Sequence, residues 1–535
     1  MSIFSHVSVN KPRFNTFDLS HQRKFSGKVG QLIPCFLAEA VPNDSFKVDT
    51  SQLVRFAPLV SPVMHRFSIY VHFFFVPNRI LWQNWEDFIN GGEDGEQSPV
   101  FPFIGTDSFT NPNFTEGSLA DYLGIPIDQD FTNEVNLSAI PFAVYMKIWY
   151  EYYRDQNLDV DSDYDFLKNF PLVDGDNDAN SDVLTTIRAR SWQHDYFTSA
   201  LPWTQRGPEA TIPLGDSAPI TFDNSGVTEV TQIYTADEGD WSSTGNPDLK
   251  AGITAVGLPA VFQVDEGGGS FRNADVDNSP FLSADLSTAT ASTINDLRRA
   301  FRLQEWLELN ARGGARYNET IKVHFGISPG DSRLQRPEFL GGSSTPVVIS
   351  EVLQTSANSG QPSPLATMGG HGVSVGGKNV FYYKCREHGY IMGIMSLMPK
   401  SAYQQGLAKH WFKFDRFDYF WRSFANIGEQ PILNKELYVD TTDAEDDNIF
   451  GYIPRYAEYK HINDSVHGEF RTSLDFWHAG RIFANRPSLS DTFVQCDSAE
   501  VDRIFAVSDT EQFYIQMHHR VKARRPMPYF GTPTI

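Results

Sequence analysis

Residues 66–77, RFSIYVHFFFVP, alternate between two kinds of side chain. Phe67, Ile69, Val71, Phe73 and Phe75 fall on one side, Arg66, Ser68, Tyr70 and His72 on the other, and Pro77 ends the run. Period two is the mark of a strand with one buried face. TIKVHFGIS (320–328) repeats the pattern through Ile321, Val323, Phe325 and Ile327 and reads as another strand, with the turn residues Asp331 and Ser332 after it. NVFYYKC (379–385), PVVISEV (346–352) and EQFYIQMHH (511–519) are further strand candidates. These runs are scattered from end to end, with no regular βα alternation and no repeat of fixed period. That excludes a doubly wound or TIM-type sheet and favours an all-β sandwich or barrel with long connections.

Two stretches carry a helical period instead. In SAIPFAVYMKIWYEYYRDQ (138–156), Ser138 caps, Pro141 sits in the first turn, and Val144, Tyr145, Ile148, Trp149 and Tyr152 share a face. TINDLRRAFRLQEWLELNARGG (293–314) opens with a capping-box pattern, Thr293-x-x-Asp296. An apolar stripe of Ile294, Leu297, Phe301 and Leu307 follows, and Gly313-Gly314 stops it. Its basic side, Arg298, Arg299 and Arg302, reads as a solvated or ion-paired face.

The pattern breaks between Gly207 and Thr293. This stretch is rich in Gly, Ser, Thr, Asp and Asn, is too long for a simple loop, and still holds apolar pieces such as Val261, Phe262 and Val264. It reads as a small β-rich insertion at 207–293 in a discontinuous core made of 1–206 and 294–535. The 535-residue chain carries net charge −22, and thirteen acids opposed only by Lys250 and Arg272 put half of that in the insertion. The ends are the reverse. Lys11, Arg13, Arg23, Lys24 and Lys28 face Asp18 at the start, and Arg520, Lys522, Arg524 and Arg525 follow the last acid, Glu511. The chain is therefore polar in charge, acidic in one region and basic in another.

Other counts narrow the class. Aromatic residues are 14% of the chain, with 42 Phe, which favours strands and broad packed interfaces. Cys35, Cys385 and Cys496 are few, odd in number and far apart, as expected of a reducing compartment rather than a disulfide framework. The greasiest segments, YVHFFFV and YIMGIMSLM, are too short to span a bilayer, and the N-terminus lacks a signal-peptide core, so no membrane insertion is expected.

Candidate chemistry is thin. GDSRL (330–334) matches the nucleophile motif of one esterase class, and Asp464–His467 and Asp475–His478 supply Asp-x-x-His. Yet Pro337 and Gly341-Gly342 follow Ser332 where a helix should start, so a turn and contact segment is the better reading. GGHGVSVGG (369–377) imitates a dinucleotide loop but precedes a strand, and reads as a flexible loop. Cys385-x-x-His388 is half a metal site. No catalytic residue, cofactor or metal is expected, and a structural or binding role remains. FDLSHQRKF, RLQRPEF and FDRFDYFWRSF mix aromatic residues with arginine as interface anchors do, although most aromatics are expected in the core.

Several blocks then carry a resemblance. They include FDLSHQRKFSGKVGQLIP (17–34), FAPLVSPVMHRFSIYVHFFFVPNRILW (56–82), HDYFTSALPWTQRG (194–207), INDLRRAFRLQEWLELNARGGARYNETIKVHFG (294–326), SPGDSRLQRPEFLGG (328–342), FRTSLDFWHAGRIF (470–483) and RPMPYFGTP (525–533). In this order along nearly the whole chain they resemble the major capsid proteins of microviruses, within the gokushovirus-like group of single-stranded DNA phages.

The resemblance implies an eight-stranded viral jelly roll, a β-sandwich or barrel whose long inter-strand insertions contain a few helices. It implies a virion protein, assembled in a bacterial host's cytoplasm, about sixty copies of which form a T=1 icosahedral shell around circular single-stranded DNA. A small basic DNA-binding viral protein and a host surface receptor are the further partners it implies. The insertion would project and touch the host, with Asp237, Glu238, Asp240, Trp241, Asp265 and Glu266 as candidate contacts. The basic ends would meet the genome through Lys11, Arg13, Arg23, Lys24 and Lys28 at the start and Arg520, Lys522, Arg524 and Arg525 at the end. Arg333, Arg336 and Phe339 would contact a neighbouring segment or subunit. A phage tail or decoration protein, and a glycan-binding β-sandwich, are the alternatives the composition leaves open.

Overall fold

A computed structural model of the chain describes residues 14–105, 115–126, 135–159, 162–208, 294–314, 316–355, 366–440, 444–507 and 510–530, with residue 210 and short strands between 220 and 284. The chain divides into two compact units, Met1–Arg206 with Glu308–Ile535, and Gly207–Leu307.

The larger unit is built on two antiparallel sheets. Its strands are β1 (Asn15–Asp18), β2 (His21–Gly27), β3 (Ile33–Ala40), β4 (Ser45–Phe56), β5 (Phe67–Pro77), β6 (Glu338–Pro346), β7 (Val348–Leu353), β8 (Met368–Lys384), β9 (Gly389–Pro399) and β10 (Phe513–Arg525). One sheet has the order β1-β10-β4-β8-β7, with β2 pairing farther along β10; the other is β6-β5-β9-β3. Their inner faces share one core. Phe46, Val48 and Val54 of β4 and Ile515, Met517 and Val521 of β10 lie in it with Phe73, Phe75, Ile391 and Leu397 of the second sheet. The Phe73 ring spans the two layers, 5.9 Å from Phe36 and 5.1 Å from Phe381. Burying side chains of this size contributes about 2 kcal/mol each.

The alternation in β5 fails after His72 for a physical reason. Phe74 and Val76 are buried as fully as Phe73 and Phe75, because the outer face of this sheet is also covered. The cover is α1 (Ile140–Ile148), which runs into a π-helical turn at Trp149–Tyr153, with Met392 and Ile394 in the same cluster. α1 is buried on all sides, beyond the single face expected. Lys147 is buried within it and donates to the carbonyls of Leu167 and Lys168, both at 2.8 Å. The helix starts one residue later than the sequence suggests: Ala139 holds the cap position and the Ser138 hydroxyl accepts from Ile140 N–H at 3.4 Å.

Two sequence readings are corrected here. TIKVHFGIS is not a strand: α3 (Tyr317–Phe325) occupies most of it, after α2 (Ile294–Gly313). The Glu319 carboxylate accepts the Arg316 N–H at 3.1 Å and starts the helix, and Gly326 at φ 69° ends it. The chain reverses between the helices through Gly314 at φ 103°, where a side chain would be strained. Ile321, Val323 and Phe325 alternate without sharing a buried face, and Phe325 is 74% exposed. GGHGVSVGG, in turn, is no loop but part of β8. Its glycines permit close approach: a Cβ at Gly370 would sit 2.1 Å from the Ser61 carbonyl oxygen.

α2 runs as expected, and Gly313 ends it. Leu307 is buried, whereas Ile294 and Phe301 of its apolar stripe are exposed. Thr293 lies outside the described residues. The smaller unit contains the antiparallel strands Leu249–Gly252, Val261–Asp265, Phe271–Asp275 and Tyr234–Thr235 in one sheet, and Ile220–Phe222 paired with Leu282–Ala284.

Candidate genome-facing and contact surfaces

The outward face of the six-stranded sheet is polar along β10 and β4. In β10, Phe513, Ile515, Met517, His519, Val521 and Ala523 point into the core, which leaves Arg520, Lys522 and Arg524 exposed on the other side. β4 alternates in the same way and exposes Lys47 and Arg55. Register partners on antiparallel strands share a face. Lys522 lies opposite Lys47, which lies opposite Tyr382, and Asp18 flanks the same row. Arg524 shares a row with Ser45 and Lys384, and Arg520 with Asp49, 3.9 Å away. Farther along, Lys24 pairs with Gln516, and Tyr514 with Arg55. Among the described residues, seven cations therefore occupy this face with two acids, Asp18 and Asp49, on a chain whose net charge is −22. Tyr382 and Tyr514 stand exposed among them.

Other cations of the predicted ends are used internally. Arg23 points to the core side, where its guanidinium donates to the carbonyls of Tyr122 and Pro34, and desolvation holds its pKa below the usual arginine range. Arg525 lies 5.3 Å from the Phe46 ring centre, ion-pairs with Asp44 at 3.3 Å and donates to the Glu39 carbonyl at 2.7 Å. Lys28 is half-buried in a turn, where its N–H donates to Gln31. Lys11 and Arg13 lie outside the described residues. So do Asp237, Glu238, Asp240, Trp241 and Glu266, while Asp265 closes the strand Val261–Asp265. Lys47, Arg55 and Lys384 went unnoticed in the sequence because they belong to the basic set only once strands are paired. The alternation of SFKVDTSQLVRF (45–56) was the available signal.

GDSRL forms a single 3-10 turn, Asp331–Leu334, which ends at Gln335 in the left-handed region, φ 56°. Ser332 is exposed, and neither motif histidine serves it: His467 pairs with Ser465 at 2.9 Å, and His478 Nε2 meets the Phe470 carbonyl. Arg336 is the anchor of the segment. It is buried, sits 4.5 Å from the Tyr152 ring centre, ion-pairs with Asp331 at 3.5 Å and donates to the Glu151 carbonyl. Tyr152 returns a hydrogen bond to the Pro337 carbonyl at 2.6 Å. Phe339 is half-exposed on β6, its ring 5.8 Å from His72 and 5.5 Å from Phe74, and Arg333 is exposed. Of the three predicted contact residues, Arg336 thus meets a neighbouring segment of its own chain.

The remaining chemistry is quiet. All three cysteines are free and buried, and burial pushes Cys35 and Cys385 up to about 12. Among the described residues there is no group of three His, Cys, Asp or Glu side chains poised to hold a metal, and no helix long and apolar enough to cross a membrane.

Two facing antiparallel sheets, one covered by helix and one presenting charge, give a strand-rich architecture that fits a capsid protein. The chain matches the family described as capsid protein (F protein) over residues 5–535 and belongs to it. It is 33% identical to capsid protein VP1 of Chlamydia phage 1 over 99% of this chain and 97% of that one. It is 35% identical to capsid protein VP1 of Bdellovibrio phage phiMH2K (97% and 94%), and 31% identical to that of Spiroplasma virus 4 (99% and 97%). It is a bacteriophage structural protein of the microvirus type, and a capsid protein is by nature a component of the virion.

Proposed function

We propose that this chain folds as a viral jelly roll and assembles in a bacterial cytoplasm into a T=1 shell of about sixty copies around circular single-stranded DNA. The basic outward face of the six-stranded sheet carries the genome part of this reading. A chain of net charge −22 repels phosphate as a whole, so DNA contact requires a segregated basic surface. Lys24, Lys47, Arg55, Lys384, Arg520, Lys522 and Arg524 supply one, and Tyr382 and Tyr514 offer rings on which unpaired bases stack. Seven lysines and arginines per subunit neutralise part of a genome, which leaves room for a small basic viral protein to do the rest. The acidic insertion at 207–293 is the outward, host-contacting part, and Arg333 and Phe339 remain exposed for a neighbouring subunit.

The test is to express the full chain with the other proteins of its virus and fractionate the product on a gradient. Closed particles of uniform size that protect circular single-stranded DNA from nuclease are expected. Free trimers, as a tail or decoration protein forms, or soluble monomers, would overturn the reading.

A further inference from the structure

Two surface patches of the larger unit are mismatched to water and matched to each other. The first is the segment 407–427. Trp411, Phe414, Phe417, Tyr419, Phe420 and Trp421 are all exposed, Phe414 to 89%. Six exposed aromatic side chains within eleven residues are far from the scattered apolar residues normal on a surface. The segment is nonetheless held in place. Trp421 Nε1 donates to the Arg416 carbonyl at 2.8 Å, Phe420 packs 5.0 Å from Tyr456, and Lys413 bridges Glu458 at 2.8 Å. Lys409 and Lys413 are paired within the chain, with Glu436 and Glu458, and the exposed charges are Arg416 and Arg422 beside Asp415 and Asp418.

The second patch joins residues 84–101 to 170–178. Trp82 Nε1 donates to Asp174 at 2.6 Å, Gly175 N–H donates to the Val100 carbonyl at 3.0 Å, and Phe88 lies 5.5 Å from Phe101. Ile89, Val100, Phe170 and Val173 are exposed here. The charge is wholly acidic: five carboxylates in 84–101 and three in 170–178, with no lysine or arginine in either stretch.

We infer that these two surfaces dock on one another between two copies of the chain, the aromatic segment 407–427 of one, with its exposed Arg416 and Arg422, against the acidic apolar patch of the next. The inference rests on the shell reading and names one contact within it. The second patch does not suit itself, because a two-fold contact would oppose carboxylates with no cation between them, whereas the first offers it the exposed guanidinium groups of Arg416 and Arg422. A contact between two different patches of one chain is heterologous and closes into rings when the rotation permits. A ring-forming contact is what a closed shell needs beyond its two-fold contacts. The arginines supply register and discrimination, and the aromatic rings supply area.

The test uses two variants of the full chain that each add one exposed cysteine, Ile89→Cys and Phe414→Cys, one of them isotopically labelled. Both positions are exposed, and the three native cysteines are buried. The variants are co-produced with the other viral proteins, treated with a short bis-maleimide and read by mass spectrometry. Cross-links between residue 89 of one copy and residue 414 of another are expected, and they should vanish when Arg416→Glu and Arg422→Glu are added. They should return when Asp87→Lys and Glu96→Lys are placed on the partner patch. Links of 414 only to 414, or none at all, overturn the pairing. Electron microscopy of the same samples separates this inference from the shell reading. Closed particles without 89–414 links reject the pairing alone, and 89–414 links without closed particles reject the shell alone.

Discussion

Arg336 lies buried 4.5 Å from the centre of the Tyr152 ring, and the Tyr152 hydroxyl donates to the carbonyl of Pro337 next door. This reciprocal clamp fastens the GDSRLQRPEF segment to the π-helical turn that extends α1. Arg336→Ala removes the cation, its ion pair with Asp331 and its bond to the Glu151 carbonyl at once. A destabilisation of about 3 kcal/mol is expected, read as a lower urea midpoint. Ser332→Ala and Arg333→Ala alter exposed side chains and should change stability by less than about 0.5 kcal/mol. A fluorophosphonate probe should leave Ser332 unlabelled.

A second anchor is the two-pronged pair of Arg481 and Glu500, with Nε–Oε2 at 3.0 Å and the terminal nitrogen to Oε1 at 2.9 Å. The guanidinium lies 4.4 Å from the Phe493 ring centre and 5.1 Å from that of Trp192, and Arg481 is 2% exposed. Removing only the acid strands a buried cation, so Glu500→Ala should cost about 3 kcal/mol or more. Arg481→Met keeps the packing and removes both the charge and the need for a partner. It should therefore be less damaging in Glu500→Ala than in the native background, as a double-mutant cycle would show.

One buried and two half-buried histidines give a pH dependence. Burial holds His519 down to about 3 and His65 and His72 to about 4. His519 has both ring nitrogens committed, one to the Thr50 hydroxyl at 2.9 Å and one to the Cys35 carbonyl at 3.1 Å. Because the folded values lie below the unfolded value of about 6.5, the unfolded chain takes up more protons between them. The stabilisation is complete above about pH 6.5 and is lost as pH falls toward 4. Thermal unfolding of the unassembled chain should shift to lower temperature between pH 7.5 and 5, and His519→Gln should weaken that shift.

The basic face predicts a salt signature. Replacing Arg520, Lys522 and Arg524 together with Gln should weaken binding of a single-stranded oligonucleotide without changing sequence preference. The slope of log affinity against log salt should fall by about 2, because each phosphate that a cation neutralises on a single strand contributes about 0.7 to it. Fluorescence anisotropy at several salt concentrations checks it. An unchanged slope would remove this face from the DNA-binding surface.

Much of the sheet architecture was legible because half-buried strands write period two into the sequence. RFSIYVHFFFVP and EQFYIQMHH became β5 and β10 for that reason. TIKVHFGIS was misread because four alternating apolar residues do not require a strand; the Glu319 start signal and the Gly313-Gly314 break before it carried the helix. GGHGVSVGG was misread because glycine marks close backbone approach inside a sheet as well as loops. The basic face was half legible. The arginines of β10 stand together in the chain, but Lys47, Arg55 and Lys384 join them only through strand pairing across hundreds of residues. The exposure of FDRFDYFWRSF was not legible either, since aromatic content alone fits a core as well as a contact surface.

The central claim is tested most directly by an electron cryo-microscopy reconstruction of assembled particles. A closed shell of about sixty copies is predicted, with Arg520, Lys522 and Arg524 turned inward against density for packaged DNA. A shell with those residues on its outer surface, or open assemblies in place of closed particles, would contradict it.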